Sequence, residues 1–337
     1  MKVIVVYGGA SPEHEVSIRS AKTVYEALSK NHKVYAAYIS KQDEWFLVNR
    51  PGEESEGVLL DYDREGRQWK TIHDKLHIDI VFPITHGVGG EDGVLQAKLE
   101  DWGLHYVGTK SRASKLCFDK VATKAILREH GVNVVDEIII DRNKDTPAYS
   151  ACVNQLGDTL FVKPSRSGSS VGVHKVSDED AFKHGLGDAF KYDDIVLVES
   201  AVEEPRELEV AVLEVEPMSF KTSVAGEIVA DGEFYTYDAK YASSSQSKTI
   251  VNPDMSDELK NELRSVSLQV NDILGCRGMV RVDFLQDGST GLLYVNEVNT
   301  LPGFTSISMY PQLWEGSGMS IEDLVGIMVS VALNSSN

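Results

Sequence analysis

The feature that most constrains this chain is a pair of segments, Met279-Val-Arg-Val-Asp-Phe284 and Tyr294-Val-Asn-Glu-Val-Asn-Thr-Leu-Pro-Gly303. Each has the residue preferences of a β-strand, yet each carries charged or amide groups where a plain sheet would hold apolar ones. Side chains alternate faces along a strand, so Arg281 and Asp283 share a face, as do Glu297 and Asn299. The intervening Gln286-Asp-Gly-Ser-Thr290 predicts an antiparallel hairpin. In the simplest register all four polar side chains meet on one face. Asp, Glu and Asn supply hard oxygen donors, a set that suits Mg2+ bridging substrate phosphates. Scattered charges on a sheet are commonly surface salt bridges. Here, however, they are flanked by Val, Phe and Tyr, and the second segment runs into Asn-Thr-Leu-Pro-Gly. The pattern points to a metal–phosphate site.

A chain of 337 residues is long enough for two or three domains with a sizeable core. With 42% hydrophobic and 25% charged residues it falls in the soluble globular class. No apolar run approaches the length of a membrane span. The start passes from a short strand into a glycine turn without a small-residue cleavage site, unlike a signal peptide. Cys117, Cys152 and Cys276 are odd in number and form no CxxC pair. That argues for a reducing, cytoplasmic setting and against a zinc site or a disulfide framework. The net charge of −19 disfavours general binding to nucleic acid or an anionic membrane. Local lysines can still hold phosphates within an acidic protein.

Three sections follow one another. Over the first ~105 residues strand and helix patterns alternate as in a parallel α/β layer, with strands expected at 2–7, 33–39 and 78–82 and helices at 15–29 and 93–102. Residues 49–67, charged and glycine-bearing, read as a surface excursion. The second section carries a helix at 119–130, strands at 137–140, 159–163, 172–176 and 195–199, and a helix at 180–190. The third alternates through 207–215 and 219–228 and then enters a long polar loop, 231–253. It continues with a helix at 256–274, the hairpin, and closing helices after Pro311 and Ser320.

The segment Phe161-Val-Lys-Pro-Ser-Arg-Ser-Gly-Ser-Ser-Val-Gly172 is a strand, a turn rich in Gly and Ser, and a second strand. Such a turn lets backbone N–H groups close on phosphate oxygens, and Lys163 can reach an α- or β-phosphate as a point charge. It is not a Walker A sequence, and no GxGxxG follows the first strand. Lys120, Lys163, Lys240 and Arg281 are the cations expected around a triphosphate. Glu199 ends the apolar strand Ile195-Val-Leu-Val-Glu199, where a strand edge can hydrogen-bond a purine and ribose, and Glu207 follows one short turn later. Taken singly, each has an ordinary alternative as a polar hairpin, a solvated lysine or a strand-end carboxylate.

Together the motifs resemble the ATP-grasp superfamily and, within it, the D-alanine–D-alanine ligases. They are Gly8-Gly-Ala-Ser-Pro-Glu-His-Glu-Val-Ser17, His86-Gly-Val-Gly-Gly-Glu-Asp-Gly93, Asp119-Lys120, and Phe161-Val-Lys-Pro with Gly-Ser-Ser-Val-Gly172. Tyr235-Thr-Tyr-Asp-Ala-Lys-Tyr241, Arg281-Val-Asp283, Asn296-Glu-Val-Asn-Thr-Leu-Pro-Gly303 and Ser306-Ile-Ser308 complete the series. Any one is weak, but the ordered set spans nearly the whole chain. Thr236 stands where the family commonly has Asp and Phe118 where it commonly has Met. Neither is an assigned catalytic position.

The resemblance implies a mixed α/β (α+β) chain with the three-domain ATP-grasp fold and an N-terminal parallel α/β domain. Its domains would be 1–108 for substrate, then 109–199 and 200–337 enclosing ATP. It assigns Lys120, Lys163, Ser169, Ser170, Glu199, Val202, Glu207, Tyr235 and Lys240 to the nucleotide. Asp283, Glu297 and Asn299 become ligands for two Mg2+ ions, with Mn2+ as an alternative and a monovalent cation as a further ligand. Glu13 would hold the ammonium of the first D-alanine with His86 nearby, and Ser169 and Tyr241 would join Glu13 in closing a lid. Ser308 and the Met309 backbone would receive the second substrate's carboxylate, and Arg281 and Gly303 would stabilise an oxyanion. The implied reaction joins two D-alanines through an acyl phosphate, giving ADP and phosphate, for peptidoglycan precursors. Tyr241 goes with an amino-acid acceptor, whereas relatives that use D-lactate often carry Phe. D-alanine–D-serine and D-alanine–D-lactate ligation, or a silent ATP-binding module, remain the alternatives. The base that deprotonates the attacking amine is not identified, and the family often forms homodimers through N-terminal surfaces.

Overall fold

A run of Val, Ile and Tyr free of charge forms the strand Lys2–Gly8, buried along nearly its whole length in a computed structural model that describes residues 1–229 and 248–334. It pairs in parallel with Lys33–Ile39 on one side and Ile80–Pro83 on the other. Continuous apolar runs of this kind fit strands covered on both faces. The sheet extends antiparallel through Trp45–Val48 to an edge strand, Val58–Leu59. One face packs on helix His14–Ser29 and on the C-terminal helices Met309–Gly316 and Ile321–Asn334, so Val3, Val5 and Phe82 share a core with Trp314, Leu324 and Met328. The chain's end is thus built into its beginning.

The charged stretch 49–67 is more ordered than a surface excursion. It supplies Val58–Leu59 and then Asp61–Asp63, which forms a small antiparallel sheet with Gln68–Lys70 and Lys75–Leu76. The reason is aromatic: Tyr62 stacks on Trp102 and meets Trp69 edge-on, while Trp45 stacks on Trp69. Such contacts add to area burial and outweigh the polar composition around them.

The central sheet is antiparallel, in the order His174–Val176, Leu160–Pro164, Ile195–Ser200, Glu137–Asp141. Helices Tyr149–Leu156 and Glu179–Ala189 cover it around Cys152, Phe182, Leu186 and Val198. Tyr149–Leu156 and Ser111–Phe118 have no counterpart in the sequence expectations, because eight residues span barely two turns, too short a window for a 3.6-residue period to stand out. Asp119 caps the next helix, Lys120–Glu129, by accepting from the Ala122 N–H at 3.1 Å.

The C-terminal sheet runs Lys248–Val251, Ser219–Val229, Arg206–Glu216, Met279–Gln286, Leu293–Asn299. Residues 248–251, expected within a loop, are an edge strand paired with Ser219–Val229, while 230–247 lie outside the described residues. Leu208, Val210, Val212, Val280, Val282 and Phe284 pack one face on helix Asp257–Leu274. On the opposite face Ala211, Leu213 and Met279 pack on Met309–Gly316, and farther along that face turns polar. All three cysteines are free and buried, with Cys117 Sγ 3.5 Å from Cys276 Sγ. Among the described residues no single helix is long and apolar enough to cross a membrane.

Candidate active site

The hairpin register sets Arg281 opposite Asn299 and Asp283 opposite Glu297. An irregularity beyond Asp283 leaves Asn296 between the pairs Asp283–Glu297 and Phe284–Val295, which returns Phe284 and Val295 to the core face. The turn is held by Asp287, whose carboxylate accepts from the Ser289 and Thr290 N–H groups and the Ser289 hydroxyl. These bonds hold its pKa down at about 2. On the polar face Arg281 donates from Nε and Nη2 to the two oxygens of Asp283, both at 2.7 Å, and Asn299 Nδ2 donates to Asp283 Oδ2 at 2.9 Å.

Glu209, from the neighbouring strand, lies opposite Asp283 and places Oε2 3.0 Å from Arg281 Nε. Burial works against the guanidinium charge, but Asp283 and Glu209 outweigh it and hold the Arg281 pKa far above its ordinary value. Glu209 was not singled out from sequence. The alternation Glu207, Glu209, Ala211 along one face of its strand was legible, but which strand lies beside it was not.

A cleft opens over this face. Arg281, Glu297, Asn299, Gly303, Ser308 and Met309 line it from the C-terminal section, Lys120 and Ser169 from the central one, and Glu13 and His86 from the first. These ten residues, expected from distant parts of the sequence, therefore converge, whereas Lys163, Ser170, Glu199, Val202, Glu207 and Asp283 are not part of the lining. Glu207 is on the same strand face as Glu209, pairing with Leu285 and Ile228. Tyr235, Lys240 and Tyr241 lie outside the described residues.

The Gly- and Ser-rich segment is a hairpin loop between the paired strands Leu160–Pro164 and His174–Val176. Ser169 and Ser170 adopt φ of 50° and 58°, a left-handed pair uncommon for non-glycine residues. Lys120 Nζ donates to the Ser167 carbonyl at 2.7 Å, tying the helix start to the loop. At the tip, Ser169 Oγ donates to Glu13 Oε1 at 2.5 Å. The carboxylate of Glu13 is hemmed by two glycines. A Cβ on Gly87 would lie 2.7 Å from Oε2, and one on Gly168 3.1 Å away.

Lys163 and Glu199 are neither exposed nor separate. Lys163 Nζ lies 2.6 Å from Glu199 Oε2, and Lys124 Nζ bridges Glu199 Oε1 at 2.5 Å and Glu137 Oε2 at 3.0 Å. Burial pushes Glu199 up, but Lys163 and Lys124 outweigh it and keep its carboxyl below the ordinary range. Lys124 lines the cleft with Lys120 because i and i+4 share a helix face, a spacing from which it could have been found. Val202 lies apart, in a second groove beside Ser200 and Ala201.

His86 is 3% exposed and engaged on both ring nitrogens: Nδ1 is 3.0 Å from the Leu301 carbonyl and Nε2 is 3.1 Å from Ser20 Oγ. Burial lowers its pKa, but Glu91 at 3.9 Å and Glu13 prevail and raise it. Glu91, in the same glycine-rich motif, is pushed up by burial, and the carboxylates of Glu13 and Glu297 add to this against His86. Ser308 precedes helix Met309–Gly316, and its hydroxyl accepts from the Thr305 N–H at 3.0 Å. The first N–H groups of that helix have no intrahelical acceptor, which suits a carboxylate. A Cβ on Gly303 would approach Ser308 Oγ to 2.8 Å.

Two family models match the chain, "D-ala D-ala ligase N-terminus" over residues 2–109 and "D-ala D-ala ligase C-terminus" over residues 126–330. The D-alanine–D-alanine ligase of Thermoanaerobacter sp. (strain X514) is 41% identical, covering 100% of this chain and 97% of the relative. D-alanine–D-alanine ligase A of Escherichia coli (strain K12) is 37% identical, covering 99% and 96%. Among solved structures, the D-alanine-D-alanine ligase from Coxiella burnetii superposes with a TM-score of 0.88 at 31% identity, covering 99% of this chain and 94% of that one. The VanG D-Ala:D-Ser ligase from Enterococcus faecalis gives 0.87 at 29% identity, covering 98% and 99%.

Proposed function

The chain belongs to the D-alanine–D-alanine ligase family, and from that premise we propose that it joins two D-alanine molecules at the expense of ATP. The observation that carries this is the convergence on one cleft of Glu13 with Ser169, the Arg281 face and the Gly303 turn. An ammonium binder, a phosphate-charge face and a backbone donor are what an acyl-phosphate ligase requires.

Glu13 takes the ammonium of the first D-alanine and directs its carboxylate at the γ-phosphate. A carboxylate oxygen attacks phosphorus, the bond to the β-phosphate oxygen breaks, and acyl phosphate and ADP form. The amine of the second D-alanine, held by its own carboxylate at Ser308 and the Met309 N–H, attacks the acyl carbon. Arg281 and the Gly303 N–H face the developing oxyanion, and phosphate leaves. Most of the acceleration comes from positioning and charge stabilisation.

Lys120, Lys163 and the loop at Ser169 and Ser170 hold the nucleotide phosphates, with Glu199 and Glu207 toward the purine and ribose. Tyr235 and Lys240 belong to the same group. The mutual ion pairs of Lys163, Glu199 and Lys124 support a preset wall for this site. Asp283, Glu297 and Asn299 offer hard oxygens suited to Mg2+, and no group of three His, Cys, Asp or Glu among the described residues could hold a metal ion. The remaining positions would then fall to phosphate oxygens, the usual Mg2+ arrangement beside one or two carboxylates. Bound there, Mg2+ supplies charge neutralisation on the phosphates. Two such ions, Mn2+ in their place, a monovalent cation and a homodimer are parts of the same proposal. So is a division into 1–108 for the first substrate and 109–199 with 200–337 for ATP.

Tyr241 favours an amino-acid acceptor over D-lactate. A D-Ala:D-Ser ligase among the similar structures makes D-serine the acceptor to test against D-alanine. Phosphate release and dipeptide formation with ATP, Mg2+ and D-alanine, then with D-serine or D-lactate added, decide the matter. D-alanyl-D-alanine from D-alanine alone is expected. Product only when D-serine or D-lactate is added would reassign the acceptor, and no D-alanine-dependent phosphate release would overturn ligation.

A further inference from the structure

We propose that Ser20 and His86 form a clamp that positions the Gly303 amide, so that His86 acts through the protein backbone rather than on substrate. This rests on the role of the Gly303 N–H as oxyanion donor. Ser20 lies on helix His14–Ser29, fully buried, and its Oγ makes two contacts at 3.1 Å: it accepts from the Phe304 N–H and bonds to His86 Nε2. His86 Nδ1 in turn donates to the Leu301 carbonyl at 3.0 Å. The two residues that flank Pro302-Gly303 are therefore pinned, one through each end of a single Ser–His pair.

The chemistry of the pair leaves little freedom. A carbonyl only accepts, so Nδ1 carries a proton, and the Phe304 amide only donates, so Ser20 Oγ accepts there. Leu301 and Phe304 are both buried, so a lost partner would leave a backbone group without water to replace it. With both nitrogens engaged and the ring buried, His86 has no donor left for a substrate. One turn earlier on the same helix face, Ser17 does a similar task, accepting from the Gly8 N–H at 2.8 Å and donating to the Ile84 carbonyl at 2.7 Å. Helix His14–Ser29, whose first turn follows Glu13, thereby ties the first-substrate site to the oxyanion turn. The clamp couples correct seating of the first substrate to correct placement of the donor.

The test is a double-mutant cycle on the full chain with Ser20→Ala and His86→Asn, reading kcat and the KM values for ATP and both D-alanines. Asn retains an amide donor near the Nδ1 position but cannot reach Ser20. Misplacing a donor costs rate more than binding, so each variant should lose about 10- to 100-fold in kcat with KM values within about twofold. The double variant should be little slower than the slower single one, because both break one clamp. A rise in the first-site KM with kcat retained, or additive losses, would overturn the clamp and return His86 to substrate binding. Should Ser20→Ala fail to fold, the kcat-against-KM split of His86→Asn alone still separates the two roles. Failure of the ligase assignment itself would show separately, as no D-alanine-dependent phosphate release by the unaltered protein.

Discussion

Ser169 Oγ meets Glu13 Oε1 at 2.5 Å, joining the tip of the phosphate loop to the start of the first helix across 156 residues of chain. Ser169 is held in a left-handed conformation to do so, and Gly87 and Gly168 leave room for the carboxylate between them. A residue kept in a sparsely populated backbone region is sustained by its surroundings, and such positions cluster at functional sites.

Glu13→Gln is expected to raise the KM for the first D-alanine by about 10- to 100-fold, the range of a hydrogen bond to a charged group, roughly 1.5–3 kcal/mol. The KM for ATP should stay near that of the unaltered protein. Gly87→Ala should reproduce the defect, because its Cβ would fall 2.7 Å from Glu13 Oε2 and φ is +68° there. Saturation kinetics at both D-alanine sites check this, and an unchanged first-site KM in both variants would contradict it.

Arg281→Ala should lower turnover by more than about 100-fold, the scale for losing one oxyanion donor, while ATP binding stays measurable. The same change frees Asp283 from its bidentate partner. Near-normal turnover would remove Arg281 from the mechanism.

The polar face of the hairpin was legible because a strand has period two and a turn of Asp, Gly and Ser admits few registers. Arg281, Asp283, Glu297 and Asn299 needed no knowledge of the rest of the fold. Glu209 and Lys124 needed neighbours 72 and 75 residues away, as the Glu209–Arg281 and Lys124–Glu199 pairs show, and no local periodicity encodes that. The motif residue His86 was found, but its bonds to Ser20 and Leu301 come from tertiary packing. The aromatic packing that orders Tyr62 and Trp69 escaped for the same reason, whereas Ser111–Phe118 escaped because two helical turns are too short to reveal a period.

Gly303→Ala should lower kcat by about tenfold or more, since its Cβ would sit 2.8 Å from Ser308 Oγ and displace both the oxyanion donor and the acceptor-carboxylate site. The KM for the second D-alanine should rise with it, unlike that for the first. Equal effects at the two sites would argue against this placement.

Acid should weaken the central section through Glu137, which binds Arg128 and Lys124 at 2.6 and 3.0 Å. Burial pushes its pKa up, but Arg128 and Lys124 outweigh it and leave the folded value below the ordinary 4.5. The unfolded chain then takes the proton first, so the stabilisation is present above about pH 4.5 and is lost as pH falls through the lower folded pKa. Glu137→Gln should flatten this acid limb in denaturant titrations and cost about 1–3 kcal/mol at neutral pH. An acid limb as steep as that of the unaltered protein would exclude Glu137 as its source.

The central claim is that the cleft activates a carboxylate by phosphorylating it before an amine attacks. D-alanine labelled with 18O in its carboxylate, incubated with ATP, Mg2+ and the protein, tests this directly. Transfer of one labelled oxygen into each released phosphate is the predicted result. Phosphate released without label while D-alanyl-D-alanine forms would contradict the acyl phosphate.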